Sequence, residues 1–343
     1  MKIKNKILNR LGLSKLHFEK SEFNDAITVF DTSIGTMNVG DEIINDSAKK
    51  WLKEIFPEKQ FINLSTHDGI SNVGLNRSSV ASHRFICGSN ILNSNLLTTQ
   101  QWNFSPLDFL RIEPLTLMGV GWSNYQNKPT AYTKWVYRNK LDKRVLHSVR
   151  DGYSMNMLKS AGVENVINTS CPTMWGLNEE HCKGIPRDKA DNVIFTLTDY
   201  RQDLVKDSLL IKLLLLNYKK VYFWVQGSQD LAYLKKLDPA LTSRVILVSP
   251  RLDAYDAVLD SDEPLEFIGT RLHAGIRALQ KGRRAIILGV DNRAIEKQKD
   301  FNVHVVLREN LESDLLKLAN SSFTTSINIP EEDINRWKEQ FRC

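Results

Sequence analysis

Residues 267–280 read Phe-Ile-Gly-Thr-Arg-Leu-His-Ala-Gly-Ile-Arg-Ala-Leu-Gln. An apolar run ends at Gly269, and an amphipathic helix opens at Arg271, Leu272 and His273. A strand that feeds directly into a helix is the repeating unit of parallel sheets. The start of such a helix offers free backbone N–H groups and a partial positive charge, which suit an anion. Arg271 can fork onto a carboxylate or phosphate, and His273 can give or take a proton near neutral pH. An ordinary first turn with a solvated arginine and a packed histidine is the alternative.

The same alternation runs outward in both directions. Strands are predicted at 26–31, 61–65, 84–87, 115–120 and 145–149, with helices at 41–55 and 153–160. After a polar stretch at 172–191, a second series of strands is predicted at 193–197, 221–225, 245–248, 285–288 and 303–306, besides the one ending at Gly269. Helices are predicted between them, including 203–216, and a final one over 331–341. The expected fold is α/β, two Rossmann-like domains facing a cleft, as in glycosyltransferase-B-like proteins. The expected boundaries are 1–175 and 190–325, with 326–343 packing back on the first domain.

Composition narrows the function. The chain has 343 residues, 46 basic and 40 acidic, for a net charge of +6, with 42% hydrophobic residues. That length suits about two domains, and that balance excludes a disordered chain. Cys87, Cys171, Cys182 and Cys343 form no CxxC pair, which excludes a zinc ribbon and suits a reducing cytoplasm. No HExxH or GxSxG occurs, so neither a metal site nor a serine-hydrolase elbow is expected. Basic residues are dispersed with no base-stacking motif, so nucleic acid is not an expected partner. The apolar run 209–216 is interrupted by Lys212 and is far shorter than a membrane span, so it reads as core. Near the start, Ile3, Ile7 and Leu11 recur among Lys2, Lys4, Lys6, Arg10 and Lys15. This stripe could rest on an anionic membrane surface at the cytoplasmic face, or be a frayed, solvated helix.

Ligands of open parallel sheets bind where loops leave the carboxyl ends of strands, so such loops carry the remaining candidates. Val149-Arg-Asp-Gly-Tyr-Ser154 repeats the strand–arginine–helix pattern, with Asp151 and Ser154 as caps and Arg150 left for a ligand. Two arginines so placed could clamp one small polyanion. Asp31-Thr-Ser-Ile-Gly-Thr-Met-Asn-Val-Gly-Asp41 allows a tight loop into a helix, with Asp41 either a cap or a site residue. Cys87-Gly-Ser-Asn90 and Gly119-Val-Gly121 read as close backbone approach to a ligand or as tight turns.

Taken in order, these segments resemble the polysaccharide pyruvyl transferase family. Asn38-Val-Gly-Asp41 is similar to its early loop, Cys87-Gly-Ser-Asn90 to its glycine-rich loop, and Arg150-Asp-x-x-Ser154 and Gly269-Thr-Arg-Leu-His273 to its two most specific motifs. Leu288-Gly-Val-Asp-Asn-Arg293 resembles a later stretch that often carries a lysine, here Arg293. Cys87 in place of a glycine and Cys171-Pro172 in place of Asp-Pro are departures, and they bear on the acceptor more than the donor. The resemblance implies transfer of a pyruvyl group from phosphoenolpyruvate to two hydroxyls of a sugar in surface polysaccharide biosynthesis, with no other cofactor. It implies Arg150, Arg271, Leu272 and His273 at the donor, with Arg150, Arg271 and His273 catalytic. Asp41, Ser89 and Asn90 are then expected on the side of the acceptor, a sugar or lipid-linked oligosaccharide. A sugar-nucleotide glycosyltransferase and a non-catalytic glycan-binding protein are the competing classes.

Overall fold

The computed structural model describes residues 26–98 and 102–342. The basic stripe near the start lies outside the described residues. The chain divides into two compact units. Unit 1 comprises residues up to 36, 45–172 and 332 onward; unit 2 comprises 37–44 and 173–331.

In unit 1, β1 (Ala26–Asp31), β2 (Gln60–Ser65), β3 (His83–Cys87) and β4 (Thr116–Met118) form a parallel sheet in the order β2-β1-β3-β4. β1 is buried along its whole length, as expected of a strand covered on both faces. A parallel pair, β5 (His147–Val149) and β6 (Val166–Asn168), joins the end of β4 through a bridge between Val120 and Val149. The strand predicted over 115–120 is shorter because Gly119 has φ +64°, which breaks the ladder. The helix Glu331–Glu339 and the turn after it close this core. Trp337 and Phe341 set their rings 5.9 and 5.2 Å from that of Phe85.

In unit 2, β7 (Asn192–Phe195), β8 (Val221–Trp224), β9 (Ile246–Val248), β10 (Leu265–Gly269), β11 (Ala285–Gly289) and β12 (Val305–Leu307) are all parallel, in the order β12-β11-β10-β7-β8-β9. This is the doubly wound order, which reverses direction between β7 and β10. The predicted core helix appears as Leu204–Asn217 with Leu210, Ile211 and Leu214 buried. Residues 37–44 count with unit 2 because the Val39 N–H donates to the Gln226 carbonyl (2.9 Å) and the Ser228 N–H to the Met37 carbonyl (3.0 Å).

Each of the two larger sheets therefore has one point where the chain reverses its winding: between β1 and β3 in unit 1, and between β7 and β10 in unit 2. The crevice outside the strand ends at such a point is the natural ligand position. No helix among the described residues is long and apolar enough to cross a membrane.

Candidate active site

At the reversal point of unit 2, Gly269 ends β10 flush against β7: a Cβ there would lie 2.6 Å from the backbone nitrogen and the hydroxyl of Thr196. This close approach lets the Arg271 N–H donate to Thr196 Oγ1 (3.2 Å) and the Arg271 side chain cross the end of β7. Its Nε donates to the Leu197 carbonyl (2.9 Å) and to Asp230 (3.2 Å), and its Nη2 to Asp199 (2.7 Å) and to Asp230. Nη1 makes no hydrogen bond among the described residues. Gly227 lacks a side chain where a Cβ would strike Arg271 Nη2, and its N–H donates to Asp230 (2.7 Å).

Burial works against the Arg271 charge, but Asp230, Tyr200 and Asp199 outweigh it, and its pKa lies above the ordinary guanidinium value. Burial raises the Asp230 carboxyl, while Arg271 and the Gly227 and Asp199 N–H groups pull it back down. The arginine is thus a fixed, permanently charged group with one nitrogen left for a ligand. Leu272 and His273 follow in the first turn of the helix Leu272–Gln280, both largely buried. That helix is apolar on the face it packs on the sheet, so its N-terminal N–H groups stand at the strand ends.

The loop before Asp41 is tied to the end of β8. The Asn38 side-chain oxygen accepts from Gln226 Nε2 (2.8 Å) and the Gly40 N–H (3.1 Å), and Asp41 opens the helix Gly40–Ile55. The loop 37–41 bridges to Gly227 through Asn38, in the same unit as Arg271.

In unit 1, Arg150 follows β5. Its Nε donates to Asp151 (2.9 Å), Nη2 to the Trp122 carbonyl (3.1 Å) and Nη1 to Asn90. Gly121 allows this: a methyl there would lie 2.5 Å from Arg150 Cδ and closer still to Nε and Cζ. Asp151 also caps the helix Gly152–Ser160, accepting from the Ser154 N–H (2.7 Å). Ser154 is not a second cap; its Oγ accepts from the Trp122 N–H (2.8 Å). Ser89, beside Asn90, holds φ +60° in a non-glycine residue, a strained conformation of the kind found where a loop serves a ligand. Its carbonyl accepts from the Gly121 N–H (2.8 Å), which ties the loop after β3 to the loop after β4.

Arg150, Ser89 and Asn90 therefore gather in unit 1, and Arg271, Leu272, His273 and Asp41 in unit 2. Two expectations change. Arg150 does not stand open to ligand from its loop; it is 2% exposed and its guanidinium is bonded to Asp151, Asn90 and the Trp122 carbonyl. Asp41 does not share a unit with Ser89 and Asn90. Sequence reading missed Asp199, Tyr200 and Asp230, the partners of Arg271. The signal existed, since Asp199-Tyr-Arg201 and Gly227 to Asp230 lie in the loops after β7 and β8, where a carboxylate can meet an arginine as readily as a ligand can.

The polysaccharide pyruvyl transferase profile matches residues 38–292, most of the chain. The chain belongs to this family. Every candidate residue of the family motifs quoted above, from Asp41 to His273, falls inside the matched span, and Arg293 lies one residue beyond it. No curated relative matches the chain. Among solved structures, the chain is similar to UDP-GlcNAc 2-epimerase of Methanocaldococcus jannaschii in complex with UDP-GlcNAc and UDP, at 10% identity and TM-score 0.50, covering 93% of this chain and 98% of that one. Similarity extends to UDP-GlcNAc 2-epimerase from Neisseria meningitidis (12% identity, TM-score 0.46, 92% and 98% covered) and to the wall teichoic acid polymerase TagF (15%, 0.43, 99% and 89%). The chain has an α/β, glycosyltransferase-B-like fold with parallel sheets.

Proposed function

We propose that the protein transfers the pyruvyl group of phosphoenolpyruvate onto two hydroxyls of one sugar, giving a cyclic ketal and inorganic phosphate. The observation that carries this reading is the Arg271 guanidinium held charged at the reversal point of unit 2, beside the start of the Leu272–Gln280 helix. Nη1 and the helix N–H groups bind the carboxylate or phosphate of the donor. Leu272 shapes that site.

The reaction balances without a redox partner. A proton adds to the donor's methylene carbon, and the adjacent carbon becomes cationic. One sugar hydroxyl attacks that carbon, the C–O bond to phosphate breaks, and a second hydroxyl closes the ring. Of the two hydroxyl protons released, one replaces the proton given to the methylene and the other leaves with phosphate. His273, in the first helical turn, moves the proton or steadies the leaving phosphate. Asp41, in the same unit as Arg271, is assigned to the sugar, free or lipid-linked. No metal or further cofactor enters this scheme.

Phosphate release from phosphoenolpyruvate with a panel of sugar acceptors, followed by mass analysis for a pyruvyl ketal, tests the reading. Phosphate release with a ketal product is the expected result. Transfer of a glycosyl group from a nucleotide sugar, with phosphoenolpyruvate inert, would replace it by glycosyltransfer; binding of glycans with no turnover of either donor would leave a glycan-binding protein.

A further inference from the structure

Tyr200 sits on the short turn Asp199–Arg201 just beyond β7, and its side chain is 54% exposed. An exposed tyrosine on a turn is ordinarily mobile, but this one is held along both backbone flanks and at its hydroxyl. On one flank the Asp199 N–H donates to Asp230 (3.2 Å) and its carboxylate accepts from Arg271 (2.7 Å). On the other, Arg308 donates to the Arg201 carbonyl (2.6 Å), and the Asp203 N–H donates to the Tyr233 hydroxyl (2.8 Å). The phenol itself is held. Its oxygen accepts from Arg293 Nη2, and Arg293 Nε reaches both oxygens of Asp291 at 3.0 Å. The Arg271 guanidinium carbon lies 5.0 Å from the ring centroid and that of Arg293 5.9 Å, within cation–π range.

The outcome is a rigid aromatic plate that stays open to solvent one guanidinium away from the donor motif. Its chemistry does not match phosphoenolpyruvate, whose surface is almost all carboxylate and phosphate. It does match a pyranose, which has an apolar C–H face of similar size and a rim of hydroxyls. The hydroxyls can reach the Arg293 guanidinium, which bonds the phenol oxygen at the ring's edge. A new C–O bond also requires the acceptor to touch the donor, so the acceptor has to lie against the exposed wall beside Arg271. Because the ring is already immobilised, little side-chain entropy is lost on stacking.

We propose that Tyr200 is the stacking platform for the acceptor pyranose. The assignment of the occupant rests on the transferase reading above. Saturation-transfer NMR on the full chain with a panel of methyl hexopyranosides tests it without any donor. At least one glycoside is expected to bind the wild type. Tyr200→Ala should weaken that binding about tenfold, and Tyr200→Phe, which keeps the plate, should hold it within about threefold. Both variants should melt within about 2 °C of wild type, since the ring contributes little core. In turnover, Tyr200→Ala should raise the acceptor KM by a larger factor than the phosphoenolpyruvate KM. Equal glycoside binding by Tyr200→Ala, equal losses in the Ala and Phe variants, or no glycoside binding by the wild type would each overturn the platform. Glycoside binding that depends on Tyr200, with no phosphate released from phosphoenolpyruvate, would instead overturn the donor reading and leave the platform standing.

Discussion

Gly121→Ala adds one methyl at the most confined point of unit 1. The new carbon would lie 2.5 Å from Arg150 Cδ, and closer to Nε and Cζ, where carbon contacts settle at about 3.5–4.0 Å. The guanidinium therefore has to withdraw by about 1 Å or more, which pulls it from Asp151, the Trp122 carbonyl and Asn90 together. Overpacking alone costs about 1–3 kcal/mol. Arg150 and Asp151 are each 2% exposed, and stripping a partner from a buried pair costs about 3–5 kcal/mol in full. A partial displacement places the sum near 3 kcal/mol. For a unit of this size, about 2–4 °C of melting temperature accompany each kcal/mol, so scanning calorimetry should show a fall of about 6–12 °C. The decisive control is the double mutant. In an Arg150→Ala background the methyl has room, and Gly121→Ala should cost less than about 1 kcal/mol. Residues in direct contact couple; independent ones add. A single mutant that melts within 1 °C of wild type, or the same loss in both backgrounds, would refute the claim that Gly121 is glycine to admit this guanidinium.

The remaining predictions concern chemistry and pH. His273→Ala should lower kcat by ~10²–10⁴-fold with donor affinity by titration almost unchanged; near wild-type turnover in the folded variant would remove the histidine from the mechanism. Arg271→Lys should weaken phosphoenolpyruvate binding and lower the melting temperature as well, because lysine cannot span Asp199, Asp230 and the Leu197 carbonyl at once. Phosphoenolpyruvate should raise the melting temperature more than nucleotide sugars do, by up to about 2.7 kcal/mol of stability at a hundred times its Kd; the reverse order would contradict the donor site. His147 is buried, with Nδ1 accepting from the Leu117 N–H (3.2 Å) and Nε2 against the Asp142 carbonyl (3.0 Å), and burial lowers its pKa from 6.5 to about 4. The unfolded chain then binds this proton more tightly, so stability is full above about pH 6.5 and falls as the pH drops toward 4. The loss from this group is about 2 kcal/mol at pH 5, read as the difference in urea unfolding between pH 7 and pH 5, and it should vanish in His147→Gln.

How much of this was legible in the sequence depended on whether the signal was local. The strands of unit 2 and the Leu204–Asn217 helix follow from apolar runs and helical spacing, and they are where they were expected. β6 was missed because three residues, Val166-Ile-Asn168, carry no period. Gly121 was visible as half of a small-residue loop, but whether it admits a ligand or a side chain depends on Arg150, 29 residues further on. The arginines themselves were found by their place after strands. Their bonding was not, since Asp199 and Asp230 reach Arg271 only through the parallel alignment of β7, β8 and β10. A residue's type announces a charge, and only the folded sheet decides what meets it.

The discontinuity of unit 1 has a consequence for synthesis on the ribosome. Phe85 on β3 is covered by Trp337 and Phe341, and Phe56 by Phe341 at 5.8 Å. The rest of the unit ends at residue 172, so these aromatic surfaces wait for roughly 160 further residues to be made. At about 5–20 residues per second that is on the order of 10–30 seconds. During this interval unit 2 can finish folding while unit 1, begun earlier, still presents an uncovered aromatic face. The nascent chain thus carries a timed vulnerability to holdase chaperones or to misassembly, and a stop codon anywhere before Trp337 would make it permanent.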